Sequence, residues 1–135
     1  MDFSIAYDIT DEQLHTKGYI KYGSGKNGYT SPRNIIVDIY KNEPINGISI
    51  QTITSTATEF PSKRRRPKTV KVAKLEVLIV MKYRSRGEKH RYDLHLLAVS
   101  KYAEIDWKVL ENIVADQDEY DQIKVTIQKL HQFPL

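Results

Sequence analysis

The stretch TVKVAKLEVLIVMKYRSRGEKHRYDLHLLAV, residues 69–99, decides the predicted fold of this chain. Apolar side chains alternate from Leu75 to Tyr83, and again from Tyr92 to Val99. Side chains two positions apart share one face of a β-strand, so each half predicts a strand. The polar residues 85–88, with Gly87 among them, are typical of a turn. The pattern therefore predicts a long antiparallel hairpin.

Helical spacing replaces this alternation after Ser100. Ile105, Val109 and Ile113 fall on one stripe of a helix. The three carboxylates within residues 116–119 suit the start of a second helix, although alternation over residues 123–127 also permits a strand there. We predict an α+β protein: an antiparallel β-sheet with a long central hairpin at about residues 69–99, covered by two C-terminal helices.

The first half of the chain supplies further elements. Residues 3–9 alternate as a strand, and Thr10–Gln13 matches a capping box. The box permits a short helix around residues 11–17, whereas Tyr19, Ile20 and Tyr22 equally permit a strand, so the sequence leaves this segment undecided. Residues 23–34 have loop composition, and Ile35–Tyr40 is a compact apolar strand. Ile48–Ala57 is rich in Ile and Thr, which favours an edge strand open to a second copy of the chain.

Length and composition limit the class of protein. The 135 residues, 40% of them apolar and 28% charged, predict a single domain spanning residues 1–135. The chain has no cysteine, which excludes disulfides and thiolate chemistry. Its longest apolar run, residues 77–81, is far below the ~20 residues of a transmembrane helix. Without a transmembrane segment or a signal peptide, we expect an intracellular protein.

The segment PSKRRRPK, residues 61–68, concentrates positive charge. Prolines fix the backbone near both ends of the cationic cluster and disfavour a helix or a central strand, so we predict an exposed basic loop. Short basic runs of this kind bind nucleic acid or direct nuclear import, and some only aid solubility. The proposed nucleic-acid contacts in this loop are Lys63, Arg64, Arg65, Arg66 and Lys68.

A second basic cluster lies in the turn of the predicted hairpin. Between Lys63 and Arg91 there are twelve Lys or Arg and only two acids, although the chain as a whole carries +4. Such asymmetry predicts one basic pole that attracts a polyanion. A straight hairpin would separate the two clusters, whereas a bend near Ala73 and Lys74 would bring them closer, so the sequence leaves open whether they form one patch. Charge in the turn could also serve only to protect a sheet edge. The secondary nucleic-acid contacts are Arg84, Arg86, Lys89 and Arg91.

Three further features suggest binding surfaces. The segment 17–33 holds four cations and no acid, with tyrosines between them, so Lys26 and Tyr29 are candidates for tracking and stacking a single strand. Trp107 lies off the apolar stripe of its helix, close to Tyr102. Because Trp and Tyr dominate the energy of many contacts, both are candidate interface residues.

Catalysis has little support in the sequence. The four histidines are scattered, and none pairs with another at the spacing of a metal-binding helix. Asp38, Glu76 and Asp93 are the strand carboxylates that a metal-dependent nuclease would need, and no further motif accompanies them. We therefore predict a non-enzymatic protein with no cofactor and no metal site.

The leading hypothesis is a protein that binds RNA or DNA through phosphates. The run 63–68 would also suit a nuclear import receptor, which would place the protein in the nucleus, and its small size fits a virus-encoded factor. The alternative is a self-assembling, matrix-like subunit, a homo-oligomer whose basic pole meets an acidic partner or an anionic membrane surface.

Overall fold

The computed structural model describes residues 2–5, 8–61 and 69–134. Over these residues the chain forms six α-helices and six β-strands, and the predicted α+β class is confirmed. The chain divides into two compact units, Met1–Gln51 and Thr52–Leu135. That residues 1–135 make a single domain stays a prediction.

The first unit is a four-stranded sheet with one short helix. In the sheet order β1-β4-β3-β2, β1 runs parallel to β4 and the other pairs are antiparallel. The elements are β1 (Asp2–Ile5), α1 (Asp11–Thr16), β2 (Ile20–Lys21), β3 (Gly28–Thr30) and β4 (Ile36–Lys41). The next helix, α2 (Ile50–Thr56), spans the boundary between the units.

The predicted capping box begins α1. The backbone N–H of Gln13 donates to Oγ1 of Thr10 at 3.1 Å, and the N–H of Thr10 donates to Oε1 of Gln13 at 2.9 Å. Both groups would otherwise be unpaired at the helix start, so the box satisfies two of its donors. The helix then contributes Leu14 to a small core with Val37 and Ile39 of β4.

The second unit pairs a small two-stranded sheet with a group of helices. Its helices pack as α3 against α4 and α5, and α4 against α6. The elements are β5 (Thr58–Pro61), β6 (Thr69–Val72), α3 (Leu75–Arg84), α4 (Glu88–Ser100), a 3-10 helix (Tyr102–Glu104), α5 (Trp107–Ile113) and α6 (Gln117–Gln132). The two predicted C-terminal helices are confirmed, as is the helical interpretation of residues 123–127.

The long hairpin predicted at residues 69–99 is wrong. Only β6 at its start is a strand, antiparallel to β5, and the rest forms α3 and α4. Residues 77–81 are apolar at every position, so they lack the polar–apolar alternation that would distinguish a strand from a buried helix. The burial pattern decides for the helix: Val77, Ile79 and Val80 are buried in α3, as are Leu94 and Ala98 in α4.

The edge strand predicted at Ile48–Ala57 is also wrong. Residues Ile50–Thr56 form α2, and Ile50 and Ile53, three positions apart, are both buried. The hydroxyl of Thr56 donates to the carbonyl of Thr52 at 2.6 Å, one turn earlier. Burial along one helical stripe therefore overrides the strand preference of Ile and Thr.

Among the helices that the structure describes, none is both long and apolar enough to cross a membrane.

Candidate nucleic-acid interface

A three-residue turn joins α3 to α4. Ser85 caps the C-terminal end of α3, and its N–H and hydroxyl both donate to the carbonyl of Met81, at 3.0 and 2.8 Å. Gly87 precedes α4 with φ of 118° and ψ of 155°, a conformation that side chains disfavour. Arg86 lies between these two residues and is exposed. The turn thus presents an arginine between the end of one helix and the start of the next.

A groove of about 440 Å³ lies beside this turn, and we call it the basic groove. Two exposed arginines line it, Arg86 from the turn and Arg91 from the first part of α4. The buried side chain of Leu94 also lines it, one turn beyond Arg91. Further lining comes from Lys82, Tyr83 and Thr126. The groove therefore combines an apolar surface with positive charge.

The cations around the basic groove differ in what they bind. Nζ of Lys82 donates to Oδ2 of Asp93 at 2.9 Å, and this hydrogen bond holds the pKa of Asp93 below its usual value. By contrast, Arg86, Lys89 and Arg91 are exposed, and with respect to the described residues their side chains form no hydrogen bond or ion pair. Arg86 and Arg91 therefore remain available for an anionic ligand, and Lys89 adds an exposed charge that also acts on Asp93.

Arg84 has a different role from the one predicted. Its Nε and Nη2 donate to the two carboxylate oxygens of Glu119, at 3.0 and 2.5 Å, and both side chains are about four-fifths buried. The Arg84 hydrogen bond holds the pKa of Glu119 below its usual value. This bidentate pair joins the end of α3 to the start of α6, so we leave Arg84 out of the proposed phosphate contacts.

Lys26 and Tyr29 belong to the first unit and are both engaged there. Nζ of Lys26 donates to Oε2 of Glu43 at 2.7 Å. Tyr29 is only 1% exposed, and its hydroxyl donates to Oδ1 of Asp11 at 2.5 Å. Nζ of Lys21 lies 4.6 Å from the centroid of the Tyr29 ring. Because the ring is a core side chain, it offers no free face to a base, which corrects the sequence-based expectation.

The two candidate interface residues pack against each other within the second unit. The rings of Tyr102 and Trp107 make an edge contact, with centroids 5.9 Å apart. Tyr102 also stacks on His131 at 4.0 Å, and Nζ of Lys124 lies 5.6 Å from the centroid of the Trp107 ring. Both aromatic residues are half-buried. Their use in an interface stays a prediction.

The residues of the first basic cluster, Lys63, Arg64, Arg65, Arg66 and Lys68, lie outside the described residues. They fall between β5 and β6, whose strands are paired from Thr58 with Val72 to Pro61 with Thr69. The predicted exposed basic loop at residues 61–68 therefore stays a prediction, except that Pro61 is the exposed last residue of β5.

Two of the three carboxylates considered for catalysis are engaged in hydrogen bonds or ion pairs within the fold. Glu76 is buried, and its Oε1 accepts a hydrogen bond from the backbone N–H of Asp106 at 2.7 Å. Asp93 pairs with Lys82 as described above, and Asp38 belongs to β4 of the first unit. Across residues 8–61 and 71–134, no group of three or more His, Asp or Glu side chains could hold a metal ion.

Tyr92 is an exposed aromatic residue that is not among the sequence-predicted site residues. The alternation predicts Tyr92 on the apolar face of a strand, yet it lies on α4 and is 58% exposed. The sequence contains a pattern that could have indicated this position. Lys89 lies three residues before Tyr92 and Leu96 lies four residues after it, and residues at these spacings share one face of a helix.

Comparison of the chain with models of protein families, with curated proteins and with solved structures finds no match in any of the three.

Proposed function

We propose that this protein binds nucleic acid through phosphate groups and that it is not an enzyme. One observation carries the proposal: Arg86 and Arg91 line the same groove and are both free of partners among the described residues. Lys89 adds a third exposed cation in the first turn of α4. The arginine-rich run at residues 63–68 precedes these residues in the sequence and supplies further positive charge.

The chemistry of arginine suits this role. The guanidinium group is permanently charged and offers five N–H donors in a planar fork, which matches two oxygens of one phosphate. Two such groups on one groove bind successive phosphates of a strand without contacting the base edges. Binding of this kind is largely independent of sequence, and it weakens steeply as salt rises because counterions are released.

The charge balance around the basic groove supports an anionic ligand. Lys82, Arg86, Lys89 and Arg91 oppose the carboxylates of Glu88 and Asp93, and Asp93 is already paired with Lys82. The groove region therefore retains a net positive charge. Both RNA and DNA fit this requirement, and import into a nucleus through the run 63–68 is compatible with it.

The test is a titration with random-sequence RNA and DNA oligonucleotides at rising salt, followed by fluorescence anisotropy. For wild type we expect a linear fall of log affinity with log salt concentration. In an Arg86→Gln/Arg91→Gln variant, the slope should flatten by about 1.4 to 1.8, because each phosphate that is no longer neutralised accounts for about 0.7 to 0.9. Neutralising the five cations of 63–68 should flatten it further.

A matched control removes the same charge elsewhere on the second unit. Lys108→Gln/Lys129→Gln changes two exposed lysines of α5 and α6 and should leave the slope within about 0.3 of wild type, a small part of one phosphate contact. Equal slopes for the groove variant and this control would contradict the proposed site. Wild type that binds neither polymer at low salt, but forms oligomers or binds anionic vesicles, would favour the matrix-like alternative instead.

A further inference from the structure

Helix α4 carries an exposed aromatic side chain next to the free cations. Tyr92 is 58% exposed, and no hydrogen bond of its hydroxyl to a described residue is present. Lys89, three residues earlier, and Leu96, four residues later, share its face of the helix and are also exposed. Its chain neighbour Arg91 lines the basic groove. This face thus joins positive charge to an open ring and an apolar side chain.

An exposed aromatic ring can stack on an unpaired base of a single strand, but it cannot reach the faces of the stacked bases in a duplex. In a duplex the faces of the bases are stacked on one another, so a side chain reaches only phosphates, sugars and groove edges. In a single strand each base has a free face, and stacking on an aromatic side chain tolerates any sequence. Cations beside the ring hold the backbone in place while the base stacks.

We propose that α4 binds single-stranded nucleic acid in preference to duplex, with Tyr92 as the platform on which a base stacks. This inference rests on the proposed function, since Arg86, Lys89 and Arg91 hold the phosphates of the same strand. Leu96 extends the apolar surface one turn along the helix, where a second base is covered in part.

Other tyrosines of this region are engaged. The hydroxyl of Tyr83 donates to Oε1 of Gln122 at 3.0 Å, and Tyr83 is half-buried in the wall of the basic groove. Tyr102 stacks on His131, and Nζ of Lys124 lies 5.7 Å from the centroid of the Tyr120 ring. In the described part of the second unit, Tyr92 is the tyrosine with the exposed ring.

The experiment compares binding of a single-stranded homopolymer, such as oligo(dT), with binding of a blunt DNA duplex of equal phosphate number. Tyr92→Ala should weaken single-strand binding by about 5- to 150-fold, the effect of losing one stacked base. Duplex binding and the salt slope should not change, because the phosphate contacts remain. Tyr92→Phe and Tyr92→Trp should keep single-strand binding, since stacking needs the ring and not the hydroxyl.

A matched control is Tyr22→Ala, which removes a similarly open ring, 50% exposed, from the first unit. It should leave both affinities within about twofold of wild type, below the loss of any stacked base. If wild type binds single strands and duplex equally and Tyr92→Ala alters neither, the single-strand inference is wrong while phosphate binding stands. If wild type shows no salt-dependent binding to either polymer, the proposed function itself fails.

Discussion

Three cations of the first unit and those at the α3–α4 turn of the second unit carry the same charge, but their surroundings differ. In the first unit Lys26 pairs with Glu43, Lys41 pairs with Asp11, and Lys21 lies over the ring of Tyr29. At the turn, Arg86 and Arg91 contact no acid of the described residues. The difference teaches that the same charge density in the sequence can be paired within the fold in one region and left exposed in another.

The same contrast appears within two residues of the turn. Arg84 is fully engaged with Glu119, whereas Arg86 is exposed and lines the basic groove. Arg84 belongs to the last turn of α3, which packs near the start of α6, and Arg86 follows the end of the helix. Sequence position alone treats the two arginines alike, but their contacts give one a structural role and the other a free charge.

The largest expected effect separates a buried tyrosine from an exposed one. Replacing Tyr29 by Ala removes a fully buried ring and should cost about 3 to 5 kcal/mol of unfolding free energy in the first unit. Hydrogen exchange followed by mass spectrometry should then show the amides of β3 and β4 exchanging about a hundredfold faster or more. Tyr92→Ala, the control, should stay within about 0.5 kcal/mol of wild type. Equal protection in the two variants would refute the assignment of Tyr29 to the core.

An intermediate effect is expected when the two neighbouring arginines are exchanged for glutamine. Arg84→Gln leaves the carboxylate of Glu119 without its bidentate partner and should lower the free energy of unfolding by about 2 kcal/mol. Arg86→Gln should lower it by less than about 0.5 kcal/mol. Urea unfolding monitored by circular dichroism measures both. Similar losses of unfolding free energy in the two variants would show that the Arg84–Glu119 pair does not stabilise the fold.

This difference should also depend on pH. Arg84 holds the folded-state pKa of Glu119 below its ordinary value of 4.5, so the pair stabilises the fold above that pH. As pH falls through the folded-state pKa, the carboxylate becomes protonated and the stabilisation is lost. Wild type and Arg84→Gln should therefore converge in stability as unfolding is repeated from about pH 6 down to about pH 3. A gap that stays constant with pH would contradict the ion pair.

The smallest effect is expected in the first unit. The double change Lys26→Gln/Glu43→Gln removes an ion pair without altering the net charge, because the two residues carry opposite charges. Affinity for random-sequence RNA should stay within about twofold of wild type, since exposed ion pairs contribute at most about 1 kcal/mol and this one is already neutralised. A loss of about tenfold in the anisotropy titration, equivalent to about 1.4 kcal/mol, would mean that Lys26 binds phosphate despite Glu43.

Local signals in the sequence predicted several elements well. The capping box at Thr10 was recognised because its two hydrogen bonds lie within four consecutive residues, and it favoured the helix over the strand alternative that the sequence left open. The stripes of α5 and α6 were recognised because polar residues separate their apolar positions at helical spacing, and Asp116 caps α6 as the acidic start suggested. The strand over residues 35–40 also agrees with β4.

The candidate site was predicted only in part, for a physical reason. Charge identifies Arg86, Lys89 and Arg91, but the strand interpretation places them at the tip of a hairpin, where no groove exists. The groove depends on Leu94 and on Thr126 of α6, which lies far along the chain. The exposure of Tyr92 was not predicted for the same reason, because the strand interpretation places its side chain on the face toward the core.

By itself the sequence determined where positive charge concentrates, which segments have capped helical ends, and that the chain is α+β. These properties depend on side-chain chemistry and on neighbours a few residues away. Tertiary structure alone decided that Leu75–Arg84 and Glu88–Ser100 are helices, because an apolar run takes the conformation in which its partners bury it. It also decided which cations stay unpaired, since an acid such as Glu119 reaches Arg84 only after the chain has folded.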